Sequence, residues 1–197
     1  ANQDSSSGNA ILVIATKREK RLPDVPVAVT VTNADTIERA QIRDLKDLQD
    51  VVPSLSVGQR ESSAQTNFFI RGFGNGANNP GIEPSVGVFV DNVYRSRTAS
   101  QIMDLPDVQR VEVLRGPQST LFGKNASAGV ISITTKDPTP TPGGFIDASY
   151  YTGNEYRIAG AVNGELIKDK LSGRLAGVTG SYDGNVTNVF NHTKING

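Results

Sequence analysis

Short apolar stretches with strand-like alternation, separated by polar turns, dominate the first two thirds of the chain. β-branched residues and apolar–polar alternation predict six strands, at residues 25–32, 55–59, 67–71, 86–93, 108–114 and 129–135. Asn33 or Asp35 is placed to cap a short helix that runs through about Ala40. A second short amphipathic helix is predicted for 44–52, and a helical turn for 117–122. The pattern up to Lys136 is that of a small mixed α/β domain.

The pattern changes at Asp137–Gly144, where proline removes backbone donors and glycine adds conformational freedom. After this boundary the helical signals disappear, and strands are predicted at 145–151, 156–166 and 171–182. Their loose alternation places Ile146, Ala148 and Tyr150 on one face of the first strand. Alternation of apolar and polar residues in segments of about ten residues is typical of outer-membrane β-barrels. A soluble antiparallel sheet fits the same pattern equally well.

The N-terminal segment joins a polar tail to one apolar strip. Residues 1–9 are rich in Ser, Asn and Gly, and we expect them to be flexible. The apolar strip, Ile11–Ala15, is followed at once by the charged residues Lys17–Arg21. A mobile, apolar edge strand of this kind is suited to pairing with another chain. The alternative is an ordinary first strand of the domain core.

Composition and charge narrow the functions further. Lys and Arg number 20, as do Asp and Glu, so no net charge attracts nucleic acid. The chain has no cysteine and one histidine, His192, which excludes thiolate and multi-histidine metal sites. The longest apolar run, Ala10–Ala15, is far shorter than the ~20 residues of a membrane-spanning helix.

Three motifs resemble catalytic or nucleotide-binding sites, but each lacks a feature that the site requires. The segment 72–77 fits G-x-G-x-x-G/A, but Asn78–Gly81 follow it and no helix can begin there to bind a pyrophosphate. Six residues separate Gly116 from Gly123, where a P-loop needs about four. Glu112, with Asp104 and Asp107 nearby, offers a carboxylate pair for acid–base catalysis, but no histidine partner or nucleophile motif accompanies it. A structural salt bridge between Glu112 and Arg115 is therefore the favoured interpretation. The sequence therefore predicts that this chain has no active site and is not an enzyme.

Three ordered blocks carry a family resemblance. Residues 107–133, DVQRVEVLRGPQSTLFGKNASAGVISI, closely resemble the plug signature of TonB-dependent outer-membrane receptors. Residues 69–72, FIRG, are similar to the IRG segment of this family. Residues 88–94, VFVDNVY, are similar to its V-x-V-D-G-V strand and turn, with Asn92 where Gly is commoner. Because Asn tolerates positive φ better than most residues, this departure is mild.

The resemblance implies an α+β plug domain, a small mixed sheet with short helices, followed by the first antiparallel strands of a transmembrane β-barrel. It implies a flexible N-terminus at 1–24 with a TonB box at about 10–16, a plug at 25–137, a linker at 138–144 and the start of the barrel at 145–197. The last segment provides about three or four strands, whereas the smallest membrane barrels need about eight. We therefore expect that this chain alone cannot close a barrel.

The resemblance also implies the gate and energy-coupling region of an active transporter in the outer membrane of a Gram-negative bacterium. Ferric siderophores are the expected substrates, and saccharide and cobalamin receptors share the same motifs. The plug would face the periplasm, the barrel would contact lipid, and substrate would bind from outside. The periplasmic domain of TonB, driven by the inner-membrane proton gradient, would pair with the TonB box and remodel the plug. The implied TonB-binding residues are Ile11, Leu12, Val13, Ile14 and Ala15. No resident cofactor, metal or nucleic acid is expected, and iron enters only within the transported chelate.

Further site residues follow from the same resemblance. Arg71 and Arg115 match the two plug arginines that pair with barrel glutamates and lock the plug, with local pairing to Glu112 or Asp91 as the alternative. Substrate contacts are expected at Phe73, Asn75, Asn78, Arg95 and Arg97. Exposed arginines such as the last two are also common as simply solvated side chains. The alternative function is a soluble periplasmic plug-like binding or signalling module, in which residues 145–182 would form a compact, water-exposed sheet.

Overall fold

The structure, a computed structural model, describes residues 12–13, 20–59, 66–74, 84–96, 107–152, 154–183, 186–187, 189–190 and 194–195. The chain divides into two compact units, Ala1–Thr135 and Lys136–Gly197. The first unit contains ten strands within the described residues: β1 (Leu12–Val13), β2 (Lys20–Arg21), β3 (Val29–Asn33), β4 (Leu55–Gln59), β5 (Thr66–Ile70), β6 (Phe73–Gly74), β7 (Val86–Val90), β8 (Val93–Tyr94), β9 (Val108–Arg115) and β10 (Gly129–Thr135). Its helices are α1 (Ala34–Arg39) and α2 (Ser119–Phe122), with single 3-10 turns at Leu22–Asp24 and Asp47–Asp50.

A five-stranded mixed sheet is the centre of the first unit. Its strands run in the order β3-β9-β10-β7-β8, in which β10 and β7 are parallel and the other neighbours are antiparallel. The mixed sheet with few helices confirms the predicted α+β class. The predicted strands 55–59 and 129–135 have the observed bounds, whereas the predicted strand 86–93 is interrupted by a turn at Asp91–Asn92.

The two faces of this sheet carry different parts of the core, because side chains alternate along each strand. One face buries Val113 and Ile131 against Leu45, Leu48 and neighbouring apolar residues. The opposite face buries a smaller cluster: Val25, Phe89, Leu114, Ala126 and Val130. Phe89 contacts Phe122 of α2 edge to face, with ring centroids 5.0 Å apart. The five-stranded sheet is therefore covered on both sides.

A second, three-stranded antiparallel sheet, β4-β5-β6, packs on the larger cluster. Along β5 the residues Thr66, Phe68 and Ile70 are buried, and the residues between them are half-buried. Ile70 is 1% exposed, and its side chain lies close to Gly129 of β10. Period-two burial thus places one face of β5 in the core of the first unit.

The segment 44–52 corrects one helix prediction. It forms turns and a 3-10 turn rather than an α-helix, although Leu45, Leu48 and Val52 are fully buried, as their spacing predicts. Asp44 Oδ1 accepts hydrogen bonds from the backbone N–H groups of Lys46 and Asp47 at 2.6 and 3.2 Å. Aspartate side chains that bind nearby backbone N–H groups favour turns over helix. By contrast, Asn33 caps α1 as predicted, accepting the Thr36 N–H at 2.9 Å.

The second unit is built on a three-stranded antiparallel sheet in the order β11-β12-β13. Its described strands are β11 (Gly143–Tyr151), β12 (Glu155–Ile167), β13 (Leu171–Ser181), β14 (Val186–Thr187) and β15 (Lys194–Ile195). β11 begins at Gly143, inside the segment that was predicted as a linker. Within the described ranges, no helix has the length and apolar character needed to cross a membrane.

Candidate functional site

The segment predicted to bind TonB is described at two of its five residues. Leu12 and Val13 form β1, which pairs antiparallel with Lys20 and Arg21 of β2. Ile11, Ile14 and Ala15 lie outside the described residues. The backbone at Leu12–Val13 is therefore extended and already engaged in one β-ladder, which is the conformation that strand addition requires.

Arg71 lies in the tight turn between β5 and β6. Its φ is +53° and that of Gly72 is +80°, so both residues are in the left-handed region. The Arg71 N–H donates to Ser54 O at 2.8 Å, which ties the turn to the residue preceding β4. The backbone of Arg71 is thus held in place while its side chain is exposed.

Arg115 ends β9, and its side chain is half-buried. Its backbone N–H donates to Ala28 O at 2.9 Å. Within the part of the chain that the structure describes, the buried Arg115 Nε makes no hydrogen bond. A buried donor without a partner costs about 1–3 kcal/mol, and more when the group is charged. The Arg115 guanidinium can therefore bind a hydrogen-bond acceptor that lies outside the described residues.

The buried salt bridge of β9 joins Glu112 to Arg110, where the sequence predicted Arg115. Arg110 Nε donates to Glu112 Oε1 at 2.8 Å. Alternation along a strand puts residues 110 and 112 on one face and Arg115 on the other. The sequence prediction missed Arg110, although the period of two could have identified it.

The other local partner considered for the arginines, Asp91, binds Thr135. Its carboxylate oxygens accept the Thr135 N–H and Oγ1–H, each at 2.9 Å. Asp91 and Asn92 have φ values of +47° and +66° and make the tight turn between β7 and β8. The expected tolerance of Asn92 for positive φ is confirmed.

The predicted substrate-contact residues are only partly described. Phe73 is 73% exposed in β6, directly after the Arg71–Gly72 turn. Arg95 is half-buried, and its backbone N–H donates to Val88 O at 2.8 Å. Asn75, Asn78 and Arg97 lie outside the described residues. Among the residues that are described, no cluster of three or more His, Asp or Glu side chains could hold a metal ion.

Residues 21–130 match the TonB-dependent Receptor Plug Domain family. The chain belongs to this family. The match covers the Arg71 and Asp91–Asn92 turns, β9 and Arg115, and it confirms the resemblance carried by the three sequence blocks. The first 20 residues, and the second unit, lie outside the family match.

Individual TonB-dependent receptors are similar over a longer part of the chain. The pesticin receptor of Yersinia pestis is 31% identical over 189 residues, which are 95% of this chain and 27% of the receptor. The ferrichrome outer membrane transporter/phage receptor of Escherichia coli K12 is 29% identical over 72% of this chain and 19% of its own length. The crystal structure of the ferric yersiniabactin uptake receptor of Yersinia pestis has a TM-score of 0.78 and 30% identity, covering 85% of this chain and 26% of that receptor. The chain spans about a quarter of the length of the first and third of these relatives.

Proposed function

We propose that this chain is the plug and the first wall strands of a TonB-dependent active transporter for ferric siderophores in the outer membrane of a Gram-negative bacterium. One observation carries the proposal: a plug-family unit is followed in the same chain by an antiparallel sheet with an exposed apolar face. Because relatives of this family are receptors and transporters, no catalytic role is proposed for this chain.

The exposed face is defined by the strand register. Ile146 and Tyr150 of β11 share it with Val162 of β12 and Leu175 of β13. Their exposed fractions are 82%, 72%, 64% and 74%. Soluble monomers rarely expose contiguous apolar patches of this kind, so the face favours contact with lipid over the water-exposed sheet of a soluble module.

The opposite face of the same sheet is mixed: Phe145, Ala159 and Ala161 lie on it among polar residues. It carries Asp147, Ser149, Arg157 and Asn163. The strands β11, β12 and β13 contain 9, 13 and 11 residues, and a membrane-crossing strand needs about 9–11. Strands of this length, with an exposed apolar face and an opposite face that carries charged and polar side chains, support a role as barrel wall.

For energy coupling, we propose that the periplasmic domain of TonB adds a strand to the TonB box at Ile11–Ala15. Strand addition depends on backbone donors and acceptors in an extended segment, which Leu12–Val13 provide. A pull on this segment, driven by the inner-membrane proton gradient, would remodel the plug and open a path for substrate.

For the closed state, we propose that Arg115 and Arg71 bind carboxylates of the barrel wall that lie beyond this chain. The buried Nε of Arg115, which has no hydrogen-bond partner among the described residues, supports this role, because a carboxylate would satisfy it by a charge-assisted hydrogen bond. Arg115→Gln in the receptor should therefore increase leakage of small solutes in the absence of substrate. Arg39→Gln, at an exposed arginine of α1, is the matched control and should leave leakage unchanged.

The substrate proposal rests on named relatives that take up ferric yersiniabactin and ferrichrome. A vitamin B12 transporter of Vibrio vulnificus is 29% identical over 73% of this chain, so cobalamin is the second candidate. Phe73 and Arg95, with Asn75, Asn78 and Arg97, are proposed to contact the substrate. Uptake of radiolabelled iron by cells expressing the receptor, given a panel of ferric chelates, tests the first candidate, and labelled cobalamin tests the second.

The deciding experiment measures binding between the receptor and the periplasmic domain of TonB, with and without Val13→Pro. Proline removes a ladder donor from the centre of the proposed coupling strand, so we expect binding and energy-dependent uptake to be lost. Ser6→Pro, outside the TonB box, is the matched control and should bind as the unmodified receptor does. Binding that survives Val13→Pro would refute the assignment of the box.

A further inference from the structure

The last residue of β10 is held by a carboxylate of the same unit. Asp91 Oδ1 accepts the Thr135 N–H and Asp91 Oδ2 accepts the Thr135 hydroxyl, both at 2.9 Å. Asp91 is itself fixed, because its N–H donates to Ile133 O at 2.9 Å. Hydrogen bonds to an ionised acceptor are about twice as strong as neutral ones. The C-terminal end of the first unit is therefore clamped at Thr135.

A second clamp lies in the second unit. Asn163 Oδ1 of β12 accepts the Thr139 N–H at 2.8 Å. Asn163 Nδ2 lies 2.7 Å from Thr139 Oγ1, 3.0 Å from Thr139 O and 2.9 Å from Thr141 O. One amide side chain thus binds the backbone on both sides of Pro140. The chain that enters β11 is held against β12 before the strand begins.

Only Lys136, Asp137 and Pro138 separate the two clamped threonines. The four residue steps from Thr135 to Thr139 can extend to about 14 Å at most. Pro138 has a fixed φ, which reduces the freedom of this connector further. The connector is therefore short and is held by side-chain hydrogen bonds at each end.

We propose that Asp91 and Asn163 are positioning residues that make this connector the fixed end of the plug when TonB pulls on its N-terminus. The proposal rests on the proposed coupling function. A load applied at β1 reaches β3, the edge strand of the five-stranded sheet, before it reaches β9 and β10. While the hydrogen bonds at Thr135 and Thr139 hold the connector, a pull on the N-terminus separates β3 from β9, and β10 keeps its position. With the clamps removed, the load can also displace β10.

The clamps are tested first without any transport. Hydrogen exchange of the Thr135 and Thr139 amides is measured in the detergent-solubilised receptor that contains this chain. Asp91→Ala should accelerate exchange at Thr135 about tenfold and leave Thr139 unchanged, and Asn163→Ala should do the reverse. Asp91→Asn, which keeps one acceptor, should give an intermediate rate at Thr135. Asp147→Ala removes an acceptor of Ser149 in β11 and is the control that should change neither amide.

A second experiment measures whether the two clamps keep β10 in place while TonB pulls on the N-terminus. Because the chain lacks cysteine, Ser132→Cys in β10 supplies a unique thiol in this chain at a half-buried position. In energised cells given substrate, its maleimide labelling should rise several-fold only when Asp91→Ala and Asn163→Ala are combined. Dissipating the proton gradient should abolish this increase.

The outcomes separate the clamp from the coupling function. Unchanged labelling in the double variant, with uptake that still depends on Val13, would overturn the clamp and leave the coupling function intact. Uptake that does not depend on Val13 would overturn the coupling function, and with it the role of the clamps under load. Unchanged exchange at Thr135 and Thr139 in the alanine variants would overturn the clamps themselves.

Discussion

Arg110 and Glu112 face each other along one side of β9, with Arg110 Nε 2.8 Å from Glu112 Oε1. The Glu112 side chain is fully buried and that of Arg110 is 14% exposed. Glu112 pairs in register with Val31 of β3 and Ser132 of β10, so this ion pair lies inside the five-stranded sheet. A buried charge of this kind is tolerated only while its partner remains.

Removal of one member of this pair should be strongly destabilising. Glu112→Ala leaves the Arg110 charge uncompensated and should lower the free energy of unfolding by about 3–5 kcal/mol. Replacing both residues, as Arg110→Met with Glu112→Leu, should recover at least half of the loss. Urea unfolding followed by circular dichroism measures both effects. Glu38→Ala, an exposed glutamate on α1, is the control, and an equal effect there would contradict the prediction.

Gly129, the first residue of β10, should not tolerate a methyl group. A Cβ at this position would lie 2.5 Å from Ile70 Cδ1 and 2.5 Å from Leu114 O, so the strand or its neighbours must shift. Gly129→Ala should lower the free energy of unfolding by about 1–3 kcal/mol. At Gly58 of β4 the added Cβ meets only Phe69 Cε2, at 3.4 Å. Gly58→Ala is therefore the matched control, and comparable losses in thermal or urea unfolding would disprove the packing argument.

The β7–β8 turn should distinguish glycine from valine at residue 92. Asn92 has a φ of +66°, which glycine adopts freely and β-branched residues resist. Asn92→Gly should be close to neutral, whereas Asn92→Val should lower the free energy of unfolding by about 1–2 kcal/mol. The comparison is made on the same chain by urea unfolding. Equal stability of the two variants would mean that the turn does not require the left-handed conformation.

A charged residue on the exposed apolar face of the second unit should impair insertion of the receptor into the membrane. Leu175→Lys places an ammonium on this face, and a lysine facing lipid costs up to about 2–4 kcal/mol. We expect a several-fold lower yield of the receptor in the outer membrane. Ser172→Lys lies on the opposite face of β13, across from Glu165, and is the control. Equal yields would indicate that the face does not contact lipid.

The local sequence pattern was sufficient to predict the bounds of several short elements. The bounds of β4 and β10 were predicted correctly, and the cap of α1 at Asn33 followed from a side chain that accepts a backbone hydrogen bond within the same turn. It was insufficient at 44–52, where helical spacing predicted the buried residues but Asp44 and Asp47 bind local N–H groups and favour turns.

Some side-chain partners were not predicted correctly from the sequence. The salt bridge of Glu112 was assigned to Arg115, because both lie in one motif, whereas the strand alternation brings Arg110 to it. Asp91 was considered as a partner for arginine and instead binds Thr135, which is 44 residues away. Asn163 carried no sequence signal, since its role depends on where β12 passes Thr139.

Residue identity and short-range order along the chain were sufficient to predict the family, the mixed-sheet class and the absence of thiol and multi-histidine chemistry. The fold had to be known to see that the buried Arg115 Nε has no hydrogen-bond partner among the described residues, and that Asp91 and Asn163 hold the ends of the 136–138 connector. Hydrogen bonds and ion pairs act over about 3–4 Å, and chain folding alone decides which distant residues come that close.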